Sequence, residues 1–497
     1  MLKNRDLFTT VLFLAVLGAA ASVWILPVPA ARAAELWVGT EAGDYPTIQA
    51  AVNAAAPGDT IVVRDGAYSE DLVVDKKVHL TPAFGARVII DGDITLTETA
   101  GGAELLGLEL AAGKKIVAAN GIDWQDGVPA DARNRVVFLG ARSGTALEVE
   151  LQDIVSHRDF DLYGGAWIHA LGEGTLITHT GIIDVSSAVG LNVRGFEWET
   201  GDRARATLGS VYVTSRDTGI GGFFITANQS QLVVNGEIVA KTLGDDSYAS
   251  GLNVRGSSGV TAEFSDITVE GGRLALGVDF NVAGDAVLGH SGLIEAVARD
   301  AGSTVHGVEI GAADNSSLTV GDVSVEAGAL ARGVTTTYLP GSLIVTDGLT
   351  NDVSLHVGGV FAVARDQDSQ AYGIDIGGLD RVSLTAGEVE VRADQLARGV
   401  WLRFGDEGSA HLIGGVTATS FSGSAQGLYV QAGDGFFASV GDVAVEGAKG
   451  AVQGVFFNAG DEGELAHAGL IRVTGTTSEA LARGLNLVAG ERFSGFV

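Results

Sequence analysis

A two-part unit recurs in this chain from Gly181 to the C-terminus, and its period limits the fold more than any other feature. The first part is a small residue followed by x-(Val/Ile)-x-(Val/Ala). It starts at Gly181, Gly209, Gly236, Ser265, Gly292 and Gly321, and continues to Gly469. Intervals are 27–29 residues, with one of 37 between Gly321 and Gly358. The second part is Gly-apolar-x-apolar. It starts at Gly190, Gly222, Gly251, Gly277, Gly307 and Gly333, and continues to Gly484. Some copies are nearly verbatim: residues 190–195 and 251–256 both read GLNVRG. A fixed period in this range means stacked units, none of which can bury its apolar face alone.

Within a unit the apolar residues alternate with period two, in runs too short for anything but strands. Leu318 and Val320 point one way, with Ser317 and Thr319 opposite. The parity shifts at Gly321-Asp322, so the chain turns a corner there, and Val323 and Val325 point inward. Gly333 marks a second corner, where a Cβ would obstruct, and Val334 and Thr336 form a third strand. Three short strands per turn of about 28 residues describe an all-β parallel β-helix, right-handed by the general preference of crossovers. A leucine-rich repeat would carry a helix and an Asn ladder, and a propeller needs a longer period.

With 46% hydrophobic residues the chain can fill a long core. It has no cysteine, which removes disulfides, thiolate metal sites and cysteine nucleophiles. A net charge of −30 excludes nucleic acid as a partner. No phosphate loop, serine elbow or zinc motif occurs in a suitable context, so no cofactor is expected.

Residues 1–33 read as a signal peptide: Lys3 and Arg5, an apolar run from Leu7 to Leu26, then the small-x-small site Ala31-Arg32-Ala33. Its removal takes away three basic residues and Asp6, leaving a charge of −32 and no membrane span. A retained anchor is the other reading. Residues 34–497 then form one β-helix domain: a cap and first rungs over 34–93, irregular rungs with a loop over 94–180, and regular repeats over 181–497. Ile122–Arg135 reads as that loop and Tyr338–Asp352 as an insertion carrying Leu343-Ile344-Val345. A short helix is predicted over Asp44–Ala56, capped by Asp44 and burying Ile48, Ala51, Val52 and Ala55. Such a helix covers the open end of a solenoid.

The stretch DYPTIQAAVNAAAPGDTIVVRDGAYSEDLVVDKKVHL resembles the N-terminal cap and first rung of the pectin lyase-like right-handed β-helix superfamily, in its pectinesterase-like form. The resemblance covers about residues 36–93. The downstream repeats resemble the β-helical passengers of bacterial autotransporters. Together these imply a bacterial protein outside the cytoplasm, secreted, periplasmic or on the cell surface, acting on or binding polysaccharides. The pectinesterase catalytic motifs do not carry over. Gly277-Val278-Asp279-Phe280 is similar to one of them, Gln152-Asp153-Ile154 echoes another faintly, and the third has no match.

Candidate site residues come from the outward position two after the second-part glycine. That column reads Asn192, Phe224, Asn253, Asp279, Glu309 and Thr335, then Asp375, Trp401, Tyr429, Phe456 and Asn486. Asp279 and Glu309 are candidate catalytic carboxylates, because adjacent rungs place them about 5 Å apart, the separation used by retaining glycosidases. The alternative is two solvated carboxylates, or a pair with Arg332. Trp401, Tyr429 and Phe456 form an aromatic strip about 10 Å long that can meet sugar rings, with Arg403 placed for an acidic sugar's carboxylate. The alternative is a ladder that only stabilises neighbouring strands. Glu237 and Asp266 form a second stacked acidic pair. His179, His290, His356 and His467 each sit two residues before a first-part glycine, on what reads as a solvated outer face.

With no complete catalytic constellation, the sequence favours a non-catalytic rod that binds a polysaccharide, a cell-surface glycan or another surface. A polysaccharide lyase, esterase or hydrolase is the alternative, and a purely structural rod the third. The last repeat ends without a cap, so either continuation into a longer passenger-like protein or pairing with another chain through that end is expected.

Overall fold

Three short runs of alternating apolar residues fold as three strands in each turn of a parallel β-solenoid. The computed structural model describes residues 33–123, 135–158, 164–189, 192–312, 314–336 and 349–496. Most of the expected signal peptide, the loop over 124–134 and the insertion with Leu343-Ile344-Val345 lie outside them. About 15 turns of about 28 residues stack along one axis. One turn runs through Leu330–Thr336 in the first sheet, Ser354–Val357 in the second and Val360–Ala364 in the third. Each strand pairs in parallel with its counterpart one turn away, as Leu318 does with Leu355 and Val323 with Val360. The core is a set of in-register columns: Leu318, Val320, Val323, Val325, Ala331 and Val334 are all 0–1% exposed. The full three-strand turn is in place by Arg135–Ala141, Glu148–Leu151 and Ile154–Arg158.

The repeated glycine sits inside a strand of the first sheet. Ala331 is buried, Arg332 is half-buried, and Gly333, Val334 and Thr335 are all buried, so the alternation breaks at the glycine. The strand bends there, and the bend brings Gly333 against its neighbours. A Cβ on it would lie 2.3 Å from Val360 Cγ1 and 2.5 Å from the Gly373 carbonyl oxygen. Close approach of backbone, rather than a left-handed φ, requires glycine here.

A second corner, after the first sheet, uses acidic residues. Asp380 Oδ1 accepts the Asp406 N–H at 2.9 Å, Asp406 Oδ1 accepts the Asp434 N–H at 2.8 Å, and Asp434 Oδ1 accepts the Asp461 N–H at 2.7 Å. The residue after each is left-handed, as at Arg381 (φ 55°), Glu407 (56°) and Glu462 (60°). Part of the chain's negative charge therefore satisfies corner amides that no strand can reach.

The N-terminal helix α1 spans Ile48–Ala54, shorter than predicted, and Thr47 rather than Asp44 caps it. Thr47 Oγ1 accepts from Ala50 N at 3.1 Å, and the Glu70 carboxylate accepts from Ile48 N and Gln49 N at 2.8 and 3.0 Å. Asp44 is drawn instead to Arg64 Nε at 2.7 Å. Ile48, Ala51 and Val52 are fully buried against the first turn. Gln49 imitates a missing strand: its Nε2 donates to Val73 O at 3.1 Å, and its Oε1 accepts from Val73 N at 2.7 Å. The exposed edge of the second sheet is thereby closed. At the other end Ile471 and Val473 are only half-buried, and Leu481 is 65% exposed.

Candidate functional site

Stacking the bent strands of the first sheet lines up the outward residues on either side of each glycine. The column two after the glycine begins with Trp167, Glu197 and Phe223, preceded by the buried Phe138 with Val136 in the glycine's place, each paired in register with the next. It continues through Asn253, Asp279, Glu309 and Thr335. It then runs Asp375, Trp401, Tyr429, Phe456 and Asn486.

Two members expected from sequence are displaced. Phe224 is fully buried, and Phe223 takes the outward place, because Gly221 and not Gly222 is the bend glycine. A Cβ on Gly221 would meet the Gly251 carbonyl oxygen at 2.4 Å. Asn192 gives way to Glu197 because the bend falls at Gly195. The identical hexapeptides therefore sit in different registers. Val193 and Arg194 lie before the bend, whereas Val254 and Arg255 follow it. Both placements keep Val inward and Arg outward, so local identity could not fix the register.

The middle of the column is recessed and acidic. Asp279 is 5% exposed. Its Oδ2 lies 3.3 Å from Arg255 Nη2, and its Oδ1 is buried without a hydrogen-bond partner among the described residues. Burial raises the Asp279 pKa; Arg255 opposes the shift, and the charge of Glu309 adds to it. Glu309, one turn on, pairs with His306. Asn253 Nδ2 donates to Ser250 Oγ at 2.9 Å. Burial also raises the Tyr248 phenol, with Asp279 and Glu309 contributing. The structure thus brings Asp279 and Glu309 onto adjacent turns, with Glu309 paired to His306 and not to Arg332.

The C-terminal half is aromatic and basic. Trp401 and Tyr429 stack with ring centroids 3.7 Å apart and planes 5° from parallel; Tyr429 and Phe456 follow at 4.6 Å and 7°. The Arg398 guanidinium lies 4.0 Å from the Trp401 centroid and 5.3 Å from that of Tyr372, which also receives Arg332 at 5.7 Å. Ring faces are therefore turned to one another and to guanidinium groups, and the strip presents a rim of ring edges. Arg403 leans back to within 3.4 Å of Asp375 Oδ1, with its side chain still 56% exposed. The same device recurs upstream, where Arg135 lies over Phe138 and Trp167 at 5.2 and 5.5 Å. That upstream set escaped the sequence reading. The spacing from Phe138 to Trp167 to Glu197, 29 and 30 residues, was the signal available for it.

The other candidates have structural partners. Glu237 accepts from the Tyr212 hydroxyl at 2.7 Å, and Asp266 Oδ1 accepts from Leu293 N at 2.8 Å. The histidines do not share one column. His356 is exposed and stacks between Thr319 and Thr385, as expected. His290 instead stacks on Phe264 in an inward column, and His467 pairs with Val440. His179 and His290 are 1% exposed, and each Nδ1 accepts an N–H from the next turn, from Gly209 at 3.1 Å and Gly321 at 2.9 Å. Burial lowers both to a pKa of about 4. The offset from glycine misled here because the corner between the second and third sheets varies in length: Ser291 and Gly292 separate His290 from the next strand, whereas Gly321 alone follows Val320. Among the described residues no group of three or more His, Cys, Asp or Glu could hold a metal ion.

Compared with protein-family models, with curated proteins and with solved structures, the chain matches none.

Proposed function

We propose that this is a secreted or cell-surface member of the pectin lyase-like β-helix superfamily, and that it binds an extended acidic glycan along the outward face of its first sheet without turning it over. One observation carries the reading. On a chain of net charge −30, Arg332, Arg398 and Arg403 gather beside the rim of Trp401, Tyr429 and Phe456, with Asp375 as the one acidic residue among the described residues of those strands. Guanidinium groups held by aromatic faces are pre-organised for carboxylates or sulfates, and the ring edges supply apolar contact. Among the described residues the outward columns of the other sheets hold no run of three stacked rings: the second runs Glu263, Gly289, Thr319, His356 and Thr385, and the third Glu295, Ser324, Phe361, Glu390 and Thr417, where Arg392 lies 6.0 Å from the Phe361 centroid but is paired with Glu390. The capping helix and entry segment over residues 36–93 support the superfamily. Affinity electrophoresis through gels containing polygalacturonate tests the reading. Retardation is expected for the native chain and not for the double variant Arg398→Ala, Arg403→Ala; equal mobility of the two sinks it.

One observation favours a second reading, a polysaccharide-active enzyme. Asp279 is a recessed carboxyl of raised pKa beside a second carboxylate, the pattern of an acid–base pair. Release of reducing ends, unsaturated ends or methanol from pectin, abolished in Asp279→Asn, would establish it in place of the first.

A further inference from the structure

We propose that removal of residues 1–33 converts the backbone nitrogen of Ala34 into an ammonium that pairs with the buried carboxylate of Asp59, so that processing itself fastens the first strand to the solenoid. The proposal rests on the secretory reading above. Ala31-Arg32-Ala33 supplies the small-x-small pattern that a signal peptidase cuts after. Ala34 N lies 2.7 Å from Asp59 Oδ1, and Asp59 is only 8% exposed. Its Oδ2 accepts from Ala56 N at 2.8 Å. Both partners that the structure gives this carboxylate are thus backbone N–H groups, which meet its charge with dipoles and not with a cation.

The position of Ala34 is fixed from its other side as well. Its carbonyl oxygen accepts from Thr60 N at 2.9 Å, and the next residue opens the strand Glu35–Val38, paired in register with Thr60–Val63. Ala33, Ala34 and Glu35 are themselves exposed, so the scissile bond is reachable. In the cleavage, water adds across the Ala33–Ala34 amide. The C–N bond breaks, Ala33 leaves with a carboxylate, and Ala34 keeps the nitrogen, which is protonated at neutral pH. The new charge appears at an atom already in hydrogen-bond contact with its counter-ion, and no rearrangement is needed. Before cleavage the same contact is an amide–carboxylate hydrogen bond and carries no ion pair.

A free α-amino group titrates at about 7.7–8.0. Asp59 raises that value in the folded state, so the stabilisation is complete below about pH 7.5 and is lost as pH rises through the raised value. The test has two arms. Intact mass of the protein recovered outside the cytoplasm is expected to give Ala34 as the first residue. The unfolding equilibrium constant of that protein is expected to rise about three- to tenfold more between pH 7 and 9.5 than that of a chain beginning at Ala33, which keeps every side chain and moves the ammonium one residue outward. Asp59→Asn in the Ala34 form removes the same increment; should that variant not fold, the comparison of the two termini decides alone. A different mature terminus, or equal pH dependence of the two chains, overturns the proposal. An Ala34 terminus without the pH increment defeats the ion pair alone, whereas a chain found only inside the cell with residues 1–33 intact defeats the secretory reading itself.

Discussion

Replacing Gly399 with alanine tests the claim that close packing of turns, and not backbone flexibility, fixes the repeated glycine. The added Cβ would lie 2.4 Å from Val416 Cγ1 and 2.6 Å from the Gly427 carbonyl oxygen. Carbon atoms at rest approach to about 3.5–4 Å, so the contact with Val416 falls about 1 Å short and the carbonyl oxygen is also well inside contact distance. One obstacle is backbone of the next turn and cannot rotate away. Overpacking of this kind costs about 1–3 kcal/mol, and the two simultaneous overlaps put Gly399→Ala at the upper end. The chain contains its own control. Gly484 occupies the same column, and nothing lies within 4 Å of its ideal Cβ. Neither glycine needs a left-handed φ. Gly484→Ala is therefore expected to be neutral or to stabilise by about 0.5 kcal/mol through the unfolded chain. Urea unfolding followed by circular dichroism compares them, with hydrogen exchange at Val416 and Gly427 as a local readout, since solenoid stability is a sum over neighbouring turns. Equal losses at the two positions, or no loss at Gly399, would refute the steric account.

Gln49→Leu removes two hydrogen bonds at the edge of the second sheet and should cost about 1–2 kcal/mol, with faster exchange of the Val73 amide. An unchanged Val73 rate counts against the capping role of that side chain. His290 is neutral and buried with a pKa of about 4 against an ordinary 6.5, so the unfolded chain binds the proton more readily between those values. Stability is thus full above pH 6.5 and falls as pH drops toward 4, by about 3 kcal/mol for this group. His290→Leu should flatten that part of the profile, and a slope identical to the native one would contradict the assignment. Trp401→Ala breaks the Trp401–Tyr429 stack and the Arg398 contact and should cost on the order of 1–2 kcal/mol, read in the same urea experiment.

The turn was legible because period-two alternation and a fixed repeat need no knowledge of distant contacts. Ser317–Val320 and Asp322–Ala327 follow directly from the pattern, whereas the third strand begins at Leu330 and runs through Gly333, where the pattern placed a corner. Register was less legible. Two adjacent glycines, Gly221 and Gly222, are interchangeable by pattern, and only the Phe196 ring decides between them. That ring would lie 1.8 Å from a Cβ on Gly222, the position at which other turns carry Leu252 or Val278. The aromatic column was visible, but the orientation of its rings was not. Face-to-face stacking follows from a spacing between turns that no single strand specifies. The role of corner aspartates such as Asp406 and Asp434 was not legible, because their partners are backbone amides about 27 residues away.

Hydroxyl-radical footprinting in the presence of polygalacturonate tests the central claim most directly, because it reports which face of the rod the polymer covers. The account predicts protection of Trp401, Tyr429 and Phe456 in the first sheet, lost at high salt as the guanidinium contacts are screened, and unchanged oxidation of Phe361 in the third sheet and Phe437 in the second. Protection centred on Phe361 or Phe437, or no protection of the Trp401 column at any polymer concentration, would contradict it.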